Sequence, residues 1–199
     1  MKKVAVIDTK AGNLFSIFSC VRRIGFEPEL IQSAEQISQK EFVAMIIPGQ
    51  GRFGTVMSNL RSSQLDKVII DWYQSDKKII GICVGMQIFF EWSAEDLDND
   101  GLGIRGLGLV KGTVTKLKSP KQPMVGWCEI DASISLLQQK TVYFVNSYAV
   151  KSSENEIATT YYGEQFVAAI QSKGLMAFQF HPEKSGSQGE EILQQCLTQ

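Results

Sequence analysis

The chain has 199 residues, with 20 Lys or Arg against 21 Asp or Glu, for a formal charge of −1. That balance gives no basic footprint for a nucleic-acid partner, and no apolar run approaches the roughly 18 residues of a membrane helix. Hydrophobic residues at 44% and charged residues at 21% describe a globular chain whose core needs no disulfide staples.

Taken in chain order, the first half alternates strand and helix. VAVID (4–8) is a short apolar run ending in a polar residue, and the opening MKKVAVID has too few apolar residues for a secretory signal. From Asn13, the positions Leu14, Ile17, Phe18, Val21 and Ile24 follow helical spacing, with Gly25 where a C-cap belongs. A second strand is expected around PELIQ and a third at VAMII (43–47). A helix follows with Leu65, Val68, Ile69 and Trp72 on one face. KKIIGIC (77–83) reads as a buried parallel strand, and MQIFFEW as the start of another helix. Strands alternating with helices mean βαβ units and a mostly parallel sheet covered on both faces.

After residue 100 the pattern turns to strands: GLGLVKGTVTKL, MVGWCEI, TVYFV, YAV, FVAAI and LMAFQF, separated by short polar or glycine-bearing turns. A last helix carries Ile192, Leu193, Cys196 and Leu197. With no linker or repeat in view, the expectation is one α/β domain over 1–199 with a β-rich second half.

Three stretches carry chemical signals. In IIPGQGRFG (46–54), Gly49, Gly51 and Gly54 form G-x-G-x-x-G after an apolar run, which is the dinucleotide fingerprint. The same backbone can instead present N–H groups to an oxyanion. The nucleotide reading is the weaker one, because the fingerprint wants an acid at a strand end about 20 residues on, and Asp66 and Asp71 fall in a helical pattern. In GICVGMQ (81–87), Cys83 stands between Gly81 and Gly85 as a nucleophile does in a strand–turn–helix elbow. An unperturbed thiol is only about 3% ionised at pH 7, so such a cysteine needs help from a helix N-terminus or a base. A core cysteine that happens to sit between glycines fits the same pattern. The single histidine, His181, lies in FQFHPEKSG two residues before Glu183. In extended backbone these two face the same way, so the acid can orient the ring while its other nitrogen serves the thiol.

Two further signals are weaker. DLDNDG (96–101) copies the first six positions of a calcium loop, but Leu107 stands where a bidentate Glu is required, so a solvated loop is expected. Cys20, Cys83, Cys128 and Cys196 contain no CxxC pair, which points away from zinc and redox work and toward reduced thiols in the cytoplasm. Cys20 and Cys196 fall on the apolar faces of helices.

PGQGRFG, GICVGMQ and FQFHPEKSG, in their places around MVGWCEI and YFVNSY, resemble the triad-type (class I) glutamine amidotransferases. Within them they are similar to the glutaminase subunits of imidazole glycerol phosphate synthase, from AGNLFSI to the C-terminal helix. The resemblance implies a flavodoxin-like α/β fold and hydrolysis of glutamine by a Cys83, His181 and Glu183 triad, with no cofactor or metal. It implies oxyanion-hole backbone at Gly49, Gln50, Gly51 and Val84. Glutamine would be held by Gln87, Glu95, Ser147 and Tyr148. The ammonia would pass to a (β/α)₈-barrel cyclase partner in a heterodimer, contacted through Asn13, Trp127 and Lys184, for histidine biosynthesis. The family usually reads P-H-x-G-W-N where this chain has Pro123-Met124-Val125-Gly126-Trp127-Cys128, His at Asn146, and Val at Gln50. None of these departures touches Cys83, His181 or Glu183; they leave open a related subunit supplying ammonia for a bacterial surface sugar, and a non-catalytic scaffold is a separate alternative of another class.

Overall fold

The computed structural model describes residues 1–98 and 100–198. The first half runs β1 (Lys3–Ile7), α1 (Leu14–Arg23), β2 (Glu27–Ile31), α2 (Ala34–Ser38), β3 (Ala44–Gly49), α3 (Phe53–Ser62), α4 (Leu65–Gln74), β4 (Ile79–Cys83) and α5 (Val84–Gln87). The second half runs β5 (Trp92–Leu97), β6 (Gly103–Arg105), β7 (Thr113–Lys116), β8 (Met124–Glu129), β9 (Asp131–Ala132), β10 (Thr141–Asn146), β11 (Tyr148–Val150), β12 (Glu156–Tyr162), β13 (Glu164–Ser172) and β14 (Leu175–Phe178), and ends with α6 (Gly186–Thr198).

The main sheet has eight strands in the order β2-β1-β3-β4-β14-β13-β12-β9. The first five are parallel and the remaining pairings are antiparallel. The order 2-1-3-4 followed by a fifth parallel strand is that of a flavodoxin-like sheet. Successive crossovers step first to one side of β1 and then to the other. With right-handed connections, α1 and α2 must therefore lie on opposite faces. The packing agrees: α1 meets α6, while α2 and α3 meet α4. Burial on both faces explains the unbroken apolar runs of β3 and β4, every residue of which is buried. A two-stranded ribbon (β10-β8) and a four-stranded sheet (β11-β7-β5-β6) add the β-rich half. Among the described residues, no helix is long and apolar enough to cross a membrane.

The helix expected from MQIFFEW is shorter and earlier. α5 covers only Val84–Gln87, and by Trp92 the chain is a strand. The reason lies in the loop that follows β6. Leu107 N donates to Ile88 O at 2.7 Å, Leu109 N to Phe89 O at 2.8 Å and Gly106 N to Glu91 O at 2.9 Å. The carbonyls that would have carried the helix onward are taken by this loop. The DLDNDG segment closes on itself: Asp98 Oδ1 accepts from the backbone N–H of Asp100 and of Leu102, as a self-capped turn does. Its Asn99 lies outside the described residues.

Candidate active site

The site stands at the carboxyl end of the parallel strands, where β4 turns into α5. Cys83 has φ 56° and ψ −114°, a conformation few side-chain-bearing residues adopt. The turn is possible because its flanks are bare. A Cβ on Gly81 would lie 2.4 Å from the Phe89 ring, and one on Gly85 only 1.9 Å from the Ile47 carbonyl oxygen. The sequence pattern G-x-C-x-G thus reflects two close approaches around one strained residue.

His181 ends the run from β14 and caps a 3₁₀ turn, Pro182–Lys184. Its backbone N–H donates to Tyr143 O at 2.8 Å, and its carbonyl accepts from Ser185 Oγ at 2.7 Å, so the residue is pinned from both sides. The ring Nδ1 meets Glu183 Oε1 at 2.8 Å, with both side chains 2% exposed. The expected pairing of positions 181 and 183 is present, but the tight turn makes it, not an extended backbone. Cys83 and His181 line the same cavity, and the sulfur bears on the imidazole from that side. Burial works to lower the His181 pKa. The sulfur and the Glu183 carboxylate outweigh it and push the group up to about 10.

The remaining cysteines are different. Burial pushes Cys20 up to about 11 and Cys196 up to about 12, and raises Cys128 as well. A thiol held neutral by its surroundings is inert at physiological pH. Cys83 is the cysteine that faces an imidazole.

A cavity of about 340 Å³ opens over the sulfur, at the small end of the ligand-pocket range. Gln50, Gly51 and Val84 form one wall; Gln87, Glu95, Ser147, Tyr148 and Lys184 also line it, beside Cys83 and His181. Gly49 stays outside the lining, but it pairs in register with Cys83 and carries the peptide that leads into the wall. Gly51, at φ 91°, lies in the left-handed region that glycine tolerates best. Burial raises the Glu95 carboxyl above its ordinary value, although the backbone N–H of Phe53 donates to its Oε2 at 2.8 Å and opposes the shift.

Glu95 and Asp96 together decide the glycine-rich stretch. Asp96 accepts from Gly54 N and pairs with Arg52, so two carboxylates of β5 sit at the N-terminus of α3. That is the position a pyrophosphate would need in a dinucleotide fold, and it is already acidic. The motif also follows the third strand of the sheet, not the first.

Asn13 N-caps α1, accepting from Ser16 N at 3.4 Å, and is exposed. It borders a void of about 10 Å³ beside His181, shared with Gly49, Gln50 and Glu183. Glu183 Oε2 has no partner among the described residues. Trp127 is 55% exposed on β8, edge-on to Tyr143 at 5.8 Å, and lies away from the cavity. Of the departures, Met124 is buried and pairs across the ribbon with Asn146, which is 6% exposed and lines the cavity. Asn146 donates to Tyr148 O at 3.2 Å, and its own carbonyl oxygen is unpartnered among the described residues.

One polar residue of the site escaped the sequence reading. Gln179, fully buried, donates to the Cys83 sulfur at 3.7 Å and accepts from Gln87 Nε2 at 2.9 Å. Its signal was a lone carboxamide between Phe178 and Phe180, two residues before the histidine.

The glutamine amidotransferase class-I family matches residues 5–199. A relative from Prochlorococcus marinus, named imidazole glycerol phosphate synthase subunit HisH, is 39% identical over 99% of this chain and 98% of its own. A relative of the same name from Oceanobacillus iheyensis is 38% identical over 96% of each chain. Two solved structures share the fold at 16% identity. One, described as a glutamine amidotransferase, has TM-score 0.77 and covers 98% of this chain and 96% of its own. The other, PurLQS from Thermotoga maritima, has TM-score 0.76 and covers 98% and 97%.

Proposed function

The chain belongs to the class-I glutamine amidotransferases, among the imidazole glycerol phosphate synthase subunits of that family, and from this premise we propose that it hydrolyses glutamine and delivers the ammonia to a cyclase partner for histidine biosynthesis. The observation that carries the reading is a strained, glycine-flanked Cys83 that lines one cavity with a histidine whose Nδ1 is held by Glu183. In it, residues 1–199 act as one amidotransferase domain.

The chemistry follows from the geometry. The Cys83 sulfur attacks the side-chain carbonyl carbon of glutamine, and the developing oxyanion is met by backbone N–H groups around Gly49-Gln50-Gly51 and by that of Val84. With its pKa raised, His181 holds the proton that the departing ammonia needs. The C–N bond breaks, leaving a glutamyl thioester and a neutral imidazole. That imidazole then takes a proton from water, whose oxygen opens the thioester to glutamate and returns the sulfur. Glu183 holds the ring tautomer and stabilises the imidazolium. Glu95, Ser147 and Tyr148 hold the amino-acid end of the substrate, with Gln87 presenting its carbonyl end, since its nitrogen is committed to Tyr148 O and Gln179.

The partner in this reading is a (β/α)₈ barrel docked over the face that carries Asn13, Trp127 and Lys184, so that ammonia moves between subunits instead of escaping. The location is cytoplasmic, where a nucleophilic thiol stays reduced by default. The relatives named above speak for the histidine pathway and give no support to the surface-sugar acceptor, while the complete Cys-His-Glu set speaks against a silent scaffold. The test is a glutamine analogue with an alkylating group in place of the amide. A single adduct on Cys83, blocked by glutamine, supports the reading; an adduct elsewhere, or none, defeats it.

A further inference from the structure

The Cys83 sulfur, which lines the cavity beside His181, donates to the Val145 carbonyl oxygen and accepts from the Gln179 side-chain nitrogen, each at 3.7 Å. A carboxamide has a donor end and an acceptor end, and which of them faces the sulfur decides its effect. An N–H stabilises a thiolate, whereas a carbonyl oxygen repels it.

The neighbours fix the orientation by elimination. The carbonyl oxygen of Tyr148 can only accept. The end of Gln87 lying 2.9 Å from it is therefore the nitrogen. The second hydrogen of that nitrogen goes to Gln179 Oε1, again at 2.9 Å. With its oxygen turned to Gln87, Gln179 has only its nitrogen to offer the sulfur. Reversing Gln87 would set its oxygen against the Tyr148 oxygen, so the chain of amides is locked by one backbone carbonyl.

We propose that Gln179 is a further catalytic residue of this site, donating an N–H to the Cys83 sulfur and holding it as thiolate, with Gln87 as the positioning residue that aims it. The proposal rests on the reading of Cys83 as the nucleophile. The titratable groups facing the sulfur are His181 with Glu183 behind it, and, across the cavity, Glu95 on β5, Tyr148 on β11 and Lys184 from the 3₁₀ turn. Gln179 differs from all of them in being neutral at every pH, so its contribution does not switch. It acts twice in a turnover. It favours the thiolate before attack, and it meets the sulfur again when water opens the thioester and the C–S electron pair returns to sulfur.

The test is the pH dependence of Cys83 alkylation by iodoacetamide in the full chain, with the adduct assigned by peptide mass. The wild type is compared with Gln179→Met and Gln87→Met, and thermal melts check that each variant is folded. Gln179→Met should move the midpoint up by about one pH unit, a roughly tenfold loss of thiolate at any pH below it. Gln87→Met should move it in the same direction by less. An unchanged midpoint in folded Gln179→Met overturns the proposal; should that variant not fold, an unchanged midpoint in Gln87→Met does so. A wild type in which Cys83 is alkylated no faster than the other three cysteines would instead sink the nucleophile reading, and this proposal with it.

Discussion

At Cys83 the backbone sits at φ 56° and ψ −114°, and a side chain there costs on the order of 1–3 kcal/mol. Replacing Cys83 by Gly should therefore raise the thermal midpoint while abolishing glutamine hydrolysis. Cys83→Ala should abolish hydrolysis without that gain. Urea unfolding of the two variants checks the difference, and equal stabilities would mean the elbow is unstrained. The His181–Glu183 pair makes a second prediction at this scale. The folded-state pKa of His181 is raised from 6.5 to about 10, so the stability it contributes is fully present below pH 6.5 and lost as pH rises through about 10. Glu183→Gln should lower turnover, and its stability deficit against wild type should be largest just below pH 6.5 and shrink toward pH 10. A deficit that stays constant across that range would show that the carboxylate does not act through the imidazolium. Cys83 and His181 were legible as candidates because each carries rare chemistry, one histidine in the chain and one cysteine between glycines; Glu183 was legible only by its place two residues from that histidine. Gln179 was not legible, since a glutamine announces no reactivity until its partners are known.

The elements around the elbow are held by close backbone approach. A Cβ on Gly85 would meet the Ile47 carbonyl oxygen at 1.9 Å, and β3 carries both Ile47 and the Gly49 peptide. Gly85→Ala must therefore push β3 away from α5. The expected cost is roughly 2 kcal/mol or more, as for other overpacked sites, together with a fall in kcat beyond what stability explains. Unfolding and single-turnover measurements on the same preparation test this; a variant with wild-type stability would mean that the strand gives way freely. The parallel strands were readable because burial on both faces demands unbroken apolar runs such as VAMII and KKIIGIC. α1 was readable because only one of its faces is buried. α5 was not, because its length is set by a loop twenty residues on that competes for the carbonyls of Ile88, Phe89 and Glu91. β5 was missed for the opposite reason. WSAEDL has an acidic, strand-poor composition because two of its residues serve the N-terminus of α3 and the cavity.

At the scale of the whole molecule, exposed Asn13 and the buried His181–Glu183 pair border one small void. The void behind His181 is bounded by Asn13, by the Gly49–Gln50 segment and by Glu183, whose second oxygen has no partner among the described residues. The void thus places the start of α1 beside the Gly49–Gln50 segment. That segment runs into Gly51, which has φ 91° and open space around it, so a turn of the peptide is most easily absorbed there. One missing oxyanion donor costs about 10² to 10³ in rate. A docked partner needs to supply only the corresponding difference in affinity for the turned state, roughly 3 to 4 kcal/mol, to switch hydrolysis on. Ammonia released without an acceptor becomes ammonium at pH 7, which is no nucleophile, so such a switch couples supply to demand. The prediction is that the purified chain hydrolyses glutamine slowly, and that adding the barrel cyclase loaded with an acceptor analogue raises kcat about 10² to 10³-fold with little change in KM. A donor recruited only in the transition state acts on kcat, whereas a partner that merely completed the binding pocket would lower KM instead. Equal kcat with and without the loaded partner would show that the oxyanion peptide is already turned in the chain alone.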